Sequence, residues 1–98
     1  MDFNRYFNFA ELTALLESYQ QRFPDLCRVS SIGESHEGRP ILLVTLTDAA
    51  TGSAETKPAV WADANLHATE VAGTTVVLSL IERLLTQAES GEKRCVEL

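Results

Sequence analysis

Apolar residues recur at helical spacing in the first quarter of the chain. Leucines and aromatic residues lie three or four positions apart, with glutamates and glutamines between them. Asn8 followed by Glu11 matches a capping box, and Pro24 disfavours a helical conformation at the residue before it. The pattern therefore predicts a first helix that begins after Asn8 and ends near Arg22.

A second helical pattern runs from about Ala72 to Gln87 and carries a broad apolar stripe. It predicts a helix that packs against a sheet and is well covered. The small residues of its first turn, 72–74, permit a close approach to the preceding segment or to a bound group. We expect three aromatic residues to lie in the core or at its rim: Tyr19, Phe23 and Trp61.

Strand patterns occupy the region between the helices. Residues 26–32 alternate in polarity, whereas residues 40–47 are almost continuously apolar, as expected for a strand buried on both faces. The short polar connection 34–39 between them predicts an antiparallel hairpin. Residues 48–57 are typical of a surface loop, and a third strand is predicted at residues 58–65. The sequence thus predicts an α/β fold in the order helix, hairpin, strand, helix.

Candidate chemistry lies at the junction of the third predicted strand and the second predicted helix. His67 and Glu70 are three residues apart there, and an imidazole and a carboxylate are both zinc donors. The spacing is weak evidence by itself. A hydrogen-bonded histidine and an acid in the first helical turn are the ordinary roles of such residues. The pair is nevertheless the best candidate for a metal site.

Composition and charge limit the classes of partner. Fourteen acidic against eight basic residues give a net charge of −6, which disfavours binding to nucleic acid. The sequence has no apolar run of about 20 residues, so we expect no contact with a membrane. No secretory signal is visible at the N-terminus, and we expect a cytoplasmic protein. Cys27 and Cys95 form no disulfide framework that the sequence defines.

The order of several motifs resembles the zinc carboxypeptidase family, of the carboxypeptidase A and B type. Similar segments, besides Phe23-Pro24, are Ser31-Ile32-Gly33-Glu34-Ser35, Glu37-Gly38-Arg39-Pro40-Ile41, Lys57-Pro58-Ala59-Val60-Trp61-Ala62-Asp63 and His67-Ala68-Thr69-Glu70. The resemblance implies a mixed α/β sheet covered by helices, with zinc at the carboxyl ends of the central strands. It makes His67 and Glu70 the first two zinc ligands, and a peptide or protein C-terminus the substrate. Zinc would activate a water for hydrolysis, with a carboxylate as general base.

The resemblance also implies that the site is incomplete in this chain. No histidine follows His67, and the family's third ligand, substrate-binding arginines and general-base glutamate have no counterpart here. No catalytic residue is therefore predicted within the chain. We expect residues 1–98 to form the N-terminal part of a single metallocarboxypeptidase catalytic domain, inactive alone, or a truncated product. A later strand would then lie between the second and third strands.

Other interpretations of the same residues stay open. Amidohydrolases that cleave acylated amino acids share the H-x-x-E arrangement, although Ala68-Thr69 between the ligands and the Glu37-Gly38-Arg39 segment favour the peptidase. Pancreatic-type members carry an arginine where this chain has Thr69, so substrate contacts of that type are not expected. A remnant that keeps the fold without the chemistry is a third interpretation. Asp63 is expected to make a hydrogen bond at the edge of the core, and His36 to be exposed without a role.

Overall fold

The computed structural model of the chain describes residues 2–91. Its elements are α1 (Phe9–Arg22), β1 (Cys27–Glu34), β2 (Pro40–Leu46), two 3-10 turns (Ala49–Thr51 and Ala54–Thr56) and α2 (Val71–Glu89). The arrangement agrees with the predicted incomplete α/β fold. Neither α1 nor α2 combines the length and the apolar character that a membrane span requires. The sequence of residues 95–98 suggests the first residues of another strand, but this segment, which includes Cys95, lies outside the described residues.

The first helix is capped as its sequence predicts. The Asn8 side chain accepts a hydrogen bond from the Glu11 N–H at 2.8 Å, and the Glu11 carboxylate accepts one from the Asn8 N–H at 3.1 Å. The Arg5 guanidinium also pairs with this carboxylate. The hydrogen bond from the Asn8 N–H, and to a smaller extent the contact with Arg5, hold the pKa of Glu11 below its usual value. The predicted helix ending at Arg22 is confirmed.

The antiparallel hairpin between β1 and β2 is also confirmed. Cys27 lies opposite Leu46, and the register shifts by a bulge between Ser31 and Glu34. The strand predicted to be buried on both faces is only half-buried: Leu42 to Leu46 all have intermediate exposure. The reason is that the sheet of the described residues has two strands. Its one covered face packs against the helices.

The core forms where the two helices meet β1. Its buried residues are Leu15, Leu16, Tyr19, Phe23, Cys27, Leu78, Ile81 and Leu85. Tyr19 has no exposed surface, and its hydroxyl donates to the Glu82 carboxylate at 3.2 Å, which links α1 to α2. Burial and the neighbouring Glu82 raise the pKa of Tyr19 above its usual value. The predicted core positions of Tyr19 and Phe23 are therefore correct.

The predicted third strand is wrong for the described residues. Residues 58–65 have no regular secondary structure. The prediction that Trp61 lies in the core is wrong as well, because Trp61 is 69% exposed and its neighbour Val60 is 94% exposed. The physical reason is that the described sheet ends with β2, so this apolar segment has no adjacent strand with which to pair.

The second helix is covered on one side only. Leu78, Ile81 and Leu85 are buried, whereas Val76 is 66% exposed and Leu80 is 45% exposed. Its apolar stripe is therefore wider than the surface that α1 and the hairpin cover. The expectation that this helix is well covered is wrong for the described part of the chain.

Candidate metal site

The segment after residue 58 leads into α2 through a short turn. The Glu70 N–H donates to the His67 carbonyl at 3.0 Å, which closes this turn. Glu70 is the N-cap residue of α2, but its side chain makes no capping hydrogen bond. Its main-chain carbonyl accepts from the Gly73 N–H at 3.2 Å. The carboxylate of Glu70 is therefore directed to another partner.

That partner is the imidazole of His67. His67 Nδ1 and Glu70 Oε2 lie 2.5 Å apart, and the two side chains are 74% and 50% exposed. The structure thus brings the two predicted residues together at the start of α2. An imidazole nitrogen and a carboxylate oxygen are donors that zinc accepts, so the pair fits the metal in donor type, and a hydrogen bond brings the two donors together. Their exposure leaves room for further ligands to approach.

Two donors are fewer than a catalytic zinc ion takes, because such a site normally has three protein ligands and a water. Among residues 2–91, no group of three or more histidine, cysteine, aspartate or glutamate side chains could hold a metal ion. The zinc-ligand role of His67 and Glu70 accordingly stays a prediction.

Asn65 is a residue of this site that sequence reasoning did not single out. Its φ of 61° places it in the left-handed region, and it is the one residue other than glycine with a positive φ in the described chain. With its side-chain amide assigned so that the nitrogen faces them, Asn65 donates to the carbonyls of His67 at 3.0 Å and Glu70 at 3.2 Å. The available signal was an asparagine two positions before His67, because asparagine tolerates this conformation better than most other side chains.

The other polar residues considered from the sequence lie elsewhere. The Trp61 Nε1–H donates to Asp63 Oδ2 at 2.6 Å. Both residues are exposed, so the prediction that Asp63 makes a hydrogen bond at the edge of the core is wrong in its location. His36 is exposed in the turn between β1 and β2, as predicted. In the same turn, Arg39 pairs with Glu37 at 2.7 Å. The predicted turn role of the Glu37-Gly38-Arg39 segment is confirmed.

The cysteine that the structure describes is not part of the site. Cys27 is 3% exposed, carries a free thiol and belongs to the core. Burial raises the pKa of its thiol, which disfavours the nucleophilic thiolate form. Cys27 is therefore a packing residue.

Gly73 allows α2 to approach the segment before the turn. A Cβ atom at Gly73 would lie 2.8 Å from the Cβ of Ala64 and 3.6 Å from the main-chain nitrogen of Asn65. The first of these distances is too short for two carbon atoms, and the Cβ of Ala64 cannot rotate away. The close approach predicted from the small first turn of α2 is thus observed, and it fixes the helix next to Asn65.

We expect Gly73→Ala to lower the free energy of unfolding by about 1–3 kcal/mol, the usual cost of overpacking. Urea denaturation measures the change. Alanine is the better helix former, so in an Ala64→Gly background the same substitution should be stabilising by up to about 1 kcal/mol. An increase in stability from Gly73→Ala alone would contradict the proposed contact.

Comparison with known proteins matches the chain to a protein family and to several relatives. A family model described as zinc carboxypeptidase matches residues 12–97. The chain is 30% identical to carboxypeptidase E of Caenorhabditis elegans, over 99% of this chain and 21% of that protein. It is 30% identical to carboxypeptidase B of Astacus astacus, over 90% of this chain and 28% of that protein. It is 38% identical to carboxypeptidase A6 of Mus musculus, over 69% of this chain and 15% of that protein. The chain spans less than a third of the length of each relative.

Proposed function

Because the chain belongs to the zinc carboxypeptidase family, we propose that it forms the N-terminal part of a metallocarboxypeptidase catalytic domain. His67 and Glu70 are two of the zinc ligands in this proposal. The observation that carries it is the convergence of His67 Nδ1 and Glu70 Oε2, at 2.5 Å, at the start of α2. The matching segment of the family model includes this pair.

The two donors contribute different properties to such a site. The neutral imidazole of His67 offers a nitrogen lone pair, and the carboxylate of Glu70 offers a negative charge that offsets part of the charge of a divalent cation. The start of α2 does not compete for this carboxylate, because the Glu70 side chain makes no capping hydrogen bond. When bound, zinc would supply Lewis acidity for the hydrolysis of a peptide bond. The third ligand and the general base belong, in this proposal, to sequence outside residues 1–98.

The proposed reaction is hydrolysis of the C-terminal peptide bond of a peptide or protein. The names of the similar proteins, carboxypeptidases E, B and A6, support this substrate class. Thr69 between the two ligands is a small neutral residue, so it adds no positive charge beside the proposed zinc ion. Recognition of the substrate carboxylate is accordingly assigned to residues elsewhere in the domain.

A substrate comparison on the protein at its natural length tests the proposal. We expect it to release the last residue of a peptide with a free C-terminus and to leave the C-terminally amidated peptide intact. Removal of zinc with 1,10-phenanthroline should abolish the release, and added Zn²⁺ should restore it. Mass spectrometry of the products measures both effects.

An N-acetylated amino acid serves as the competing substrate. Its cleavage, without cleavage of the peptide, would replace the peptidase by an acyl-amino-acid amidohydrolase. Hydrolysis that persists at full rate after chelation and dialysis would contradict the zinc mechanism. Failure to cleave either substrate in the zinc-loaded protein would contradict an enzymatic role.

A further inference from the structure

The main chain changes direction at Asn65, just before the proposed ligands. Its φ of 61° lies in the left-handed region, which few residues other than glycine adopt. Asn65 is two positions before His67, where the chain leaves the irregular segment 58–65. A residue in this conformation needs compensating interactions if the chain is to stay in place.

The side chain of Asn65 provides such interactions. Its nitrogen lies 3.0 Å from the carbonyl oxygen of His67 and 3.2 Å from that of Glu70. This orientation of the amide is assigned from its surroundings: carbonyl oxygens can only accept hydrogen bonds, so the amide oxygen would make no hydrogen bond to them. Its two N–H groups can donate one hydrogen bond to each carbonyl at the same time. One amide group thus joins the first and the last residue of the turn that carries both donors.

Packing contributes little to holding this turn. Every residue from 58 to 70 is exposed, and the side chains of His67 and Glu70 are 74% and 50% exposed. Within residues 2–91, no buried side chains therefore restrain the two donors. The restraints seen on the turn are the hydrogen bonds from Glu70 N–H to His67 O and from Gly73 N–H to Glu70 O, the amide of Asn65, and the contact between Gly73 and Ala64.

We propose that Asn65 is a positioning residue for the metal-binding pair. Its amide holds the carbonyls of His67 and Glu70 and thereby fixes the distance and orientation of His67 Nδ1 relative to Glu70 Oε2. It acts through the main chain and is not itself a ligand. The inference rests on the proposed function, because it assigns a role in presenting these two donors to one metal ion.

Two substitutions remove the N–H groups in different ways. Asn65→Asp keeps the size of the side chain and its tolerance of the left-handed conformation, but an ionised carboxylate cannot donate. Asn65→Gly adopts the same conformation without strain and has no side chain. The two variants share only the loss of the donors, since the first adds a negative charge and the second does not. Asn4→Asp makes the same chemical change at an exposed asparagine far from the pair in sequence, and is the matched control.

Titration with Co²⁺, followed by visible absorption, measures the effect in the metal-free protein at its natural length. We expect both Asn65 variants to bind Co²⁺ about tenfold more weakly, as is typical for residues that orient ligands. Their visible bands should also change, because these bands report the geometry of the donors. Asn4→Asp should bind Co²⁺ with unchanged affinity and spectrum. Amide hydrogen exchange at Glu70, without metal, should be about fivefold faster in both Asn65 variants.

The outcomes separate this inference from the proposed function. If His67→Ala abolishes Co²⁺ binding while both Asn65 variants bind normally, the positioning role is wrong and the metal site stands. If the variants lose affinity only in proportion to a loss of global stability, Asn65 has a general structural role and the inference is overturned. If the unsubstituted protein binds no Co²⁺, the proposed function fails. If amide exchange at Glu70 is also unchanged in the two Asn65 variants, the positioning role of Asn65 is overturned as well.

Discussion

Replacing His67 by alanine is expected to remove bound zinc and to abolish peptide hydrolysis by the protein at its natural length. The imidazole is one of the two zinc donors that the described residues bring together at the proposed site, and a catalytic zinc ion normally takes three protein ligands. The loss of zinc affinity and of activity should exceed the roughly 10–100-fold loss that follows removal of a residue that only orients a ligand. The zinc content after gel filtration and kcat/KM toward a peptide with a free C-terminus measure it.

The chain offers a matched control, because it contains two histidines. His36 is exposed in the turn between β1 and β2, so His36→Ala makes the same chemical change away from the site. We expect this variant to keep its zinc content and its kcat/KM toward the peptide. Circular dichroism verifies that both variants fold. Full zinc content in His67→Ala, or an equal loss in His36→Ala, would show that His67 is not a ligand.

Glu70→Gln refines the same prediction. Glutamine has nearly the shape of glutamate but carries no charge, so the variant tests whether the carboxylate charge contributes to metal binding. The helix start should be preserved, since the Glu70 side chain makes no capping hydrogen bond. We therefore expect zinc to be lost without a change in helix content. A loss of helix content in this variant would indicate that Glu70 stabilises α2 and is not mainly a metal ligand.

The features that the sequence predicted correctly depend on neighbouring residues. The capping box of Asn8 and Glu11 lies within four residues, and Pro24 ends the helix by a local clash. The hairpin has a short connection, so its pairing also involves few intervening residues. The proximity of His67 to Glu70 belongs to the same class, because a single turn sets their separation.

The features that the sequence did not predict depend on distant partners. The apolar residues around Trp61 have the composition of a strand, but a strand exists only where another strand accepts and donates its main-chain hydrogen bonds. The same holds for the coverage of α2, whose apolar stripe includes the exposed Val76 and Leu80. Composition identifies surface that could be buried. It does not specify what covers that surface.

The candidate site also has some features that the sequence predicts and others that only the structure shows. The donor types and their spacing were visible in the sequence, whereas the left-handed conformation of Asn65 was not, because asparagine adopts several conformations. Gly73 was recognised as permitting a close approach, but the opposing atom, the Cβ of Ala64, emerges only from the structure. Such contacts couple α2 to the turn that carries the donors. The stability of α2 is therefore relevant to the site.

That stability depends mainly on the core shared by the two helices. Leu78 is 2% exposed and lies in the buried cluster that includes Leu16 and Tyr19 of α1. We expect Leu78→Ala to lower the free energy of unfolding by about 2–5 kcal/mol, because it removes buried methyl groups and leaves a cavity. The free energy of unfolding of a native protein is only about 5–15 kcal/mol, so this substitution would remove much of it. Urea denaturation of the 98-residue chain measures the change.

Leu80→Ala is the matched control, because it makes the same change on the same helix at a residue that is 45% exposed. Less apolar surface leaves contact with the core there, so we expect a loss below about 1 kcal/mol. Equal effects of the two substitutions would mean that the outer face of α2 is covered as fully as the inner one. A large effect of Leu78→Ala alone would locate the stabilising contacts of α2 on the side that faces α1.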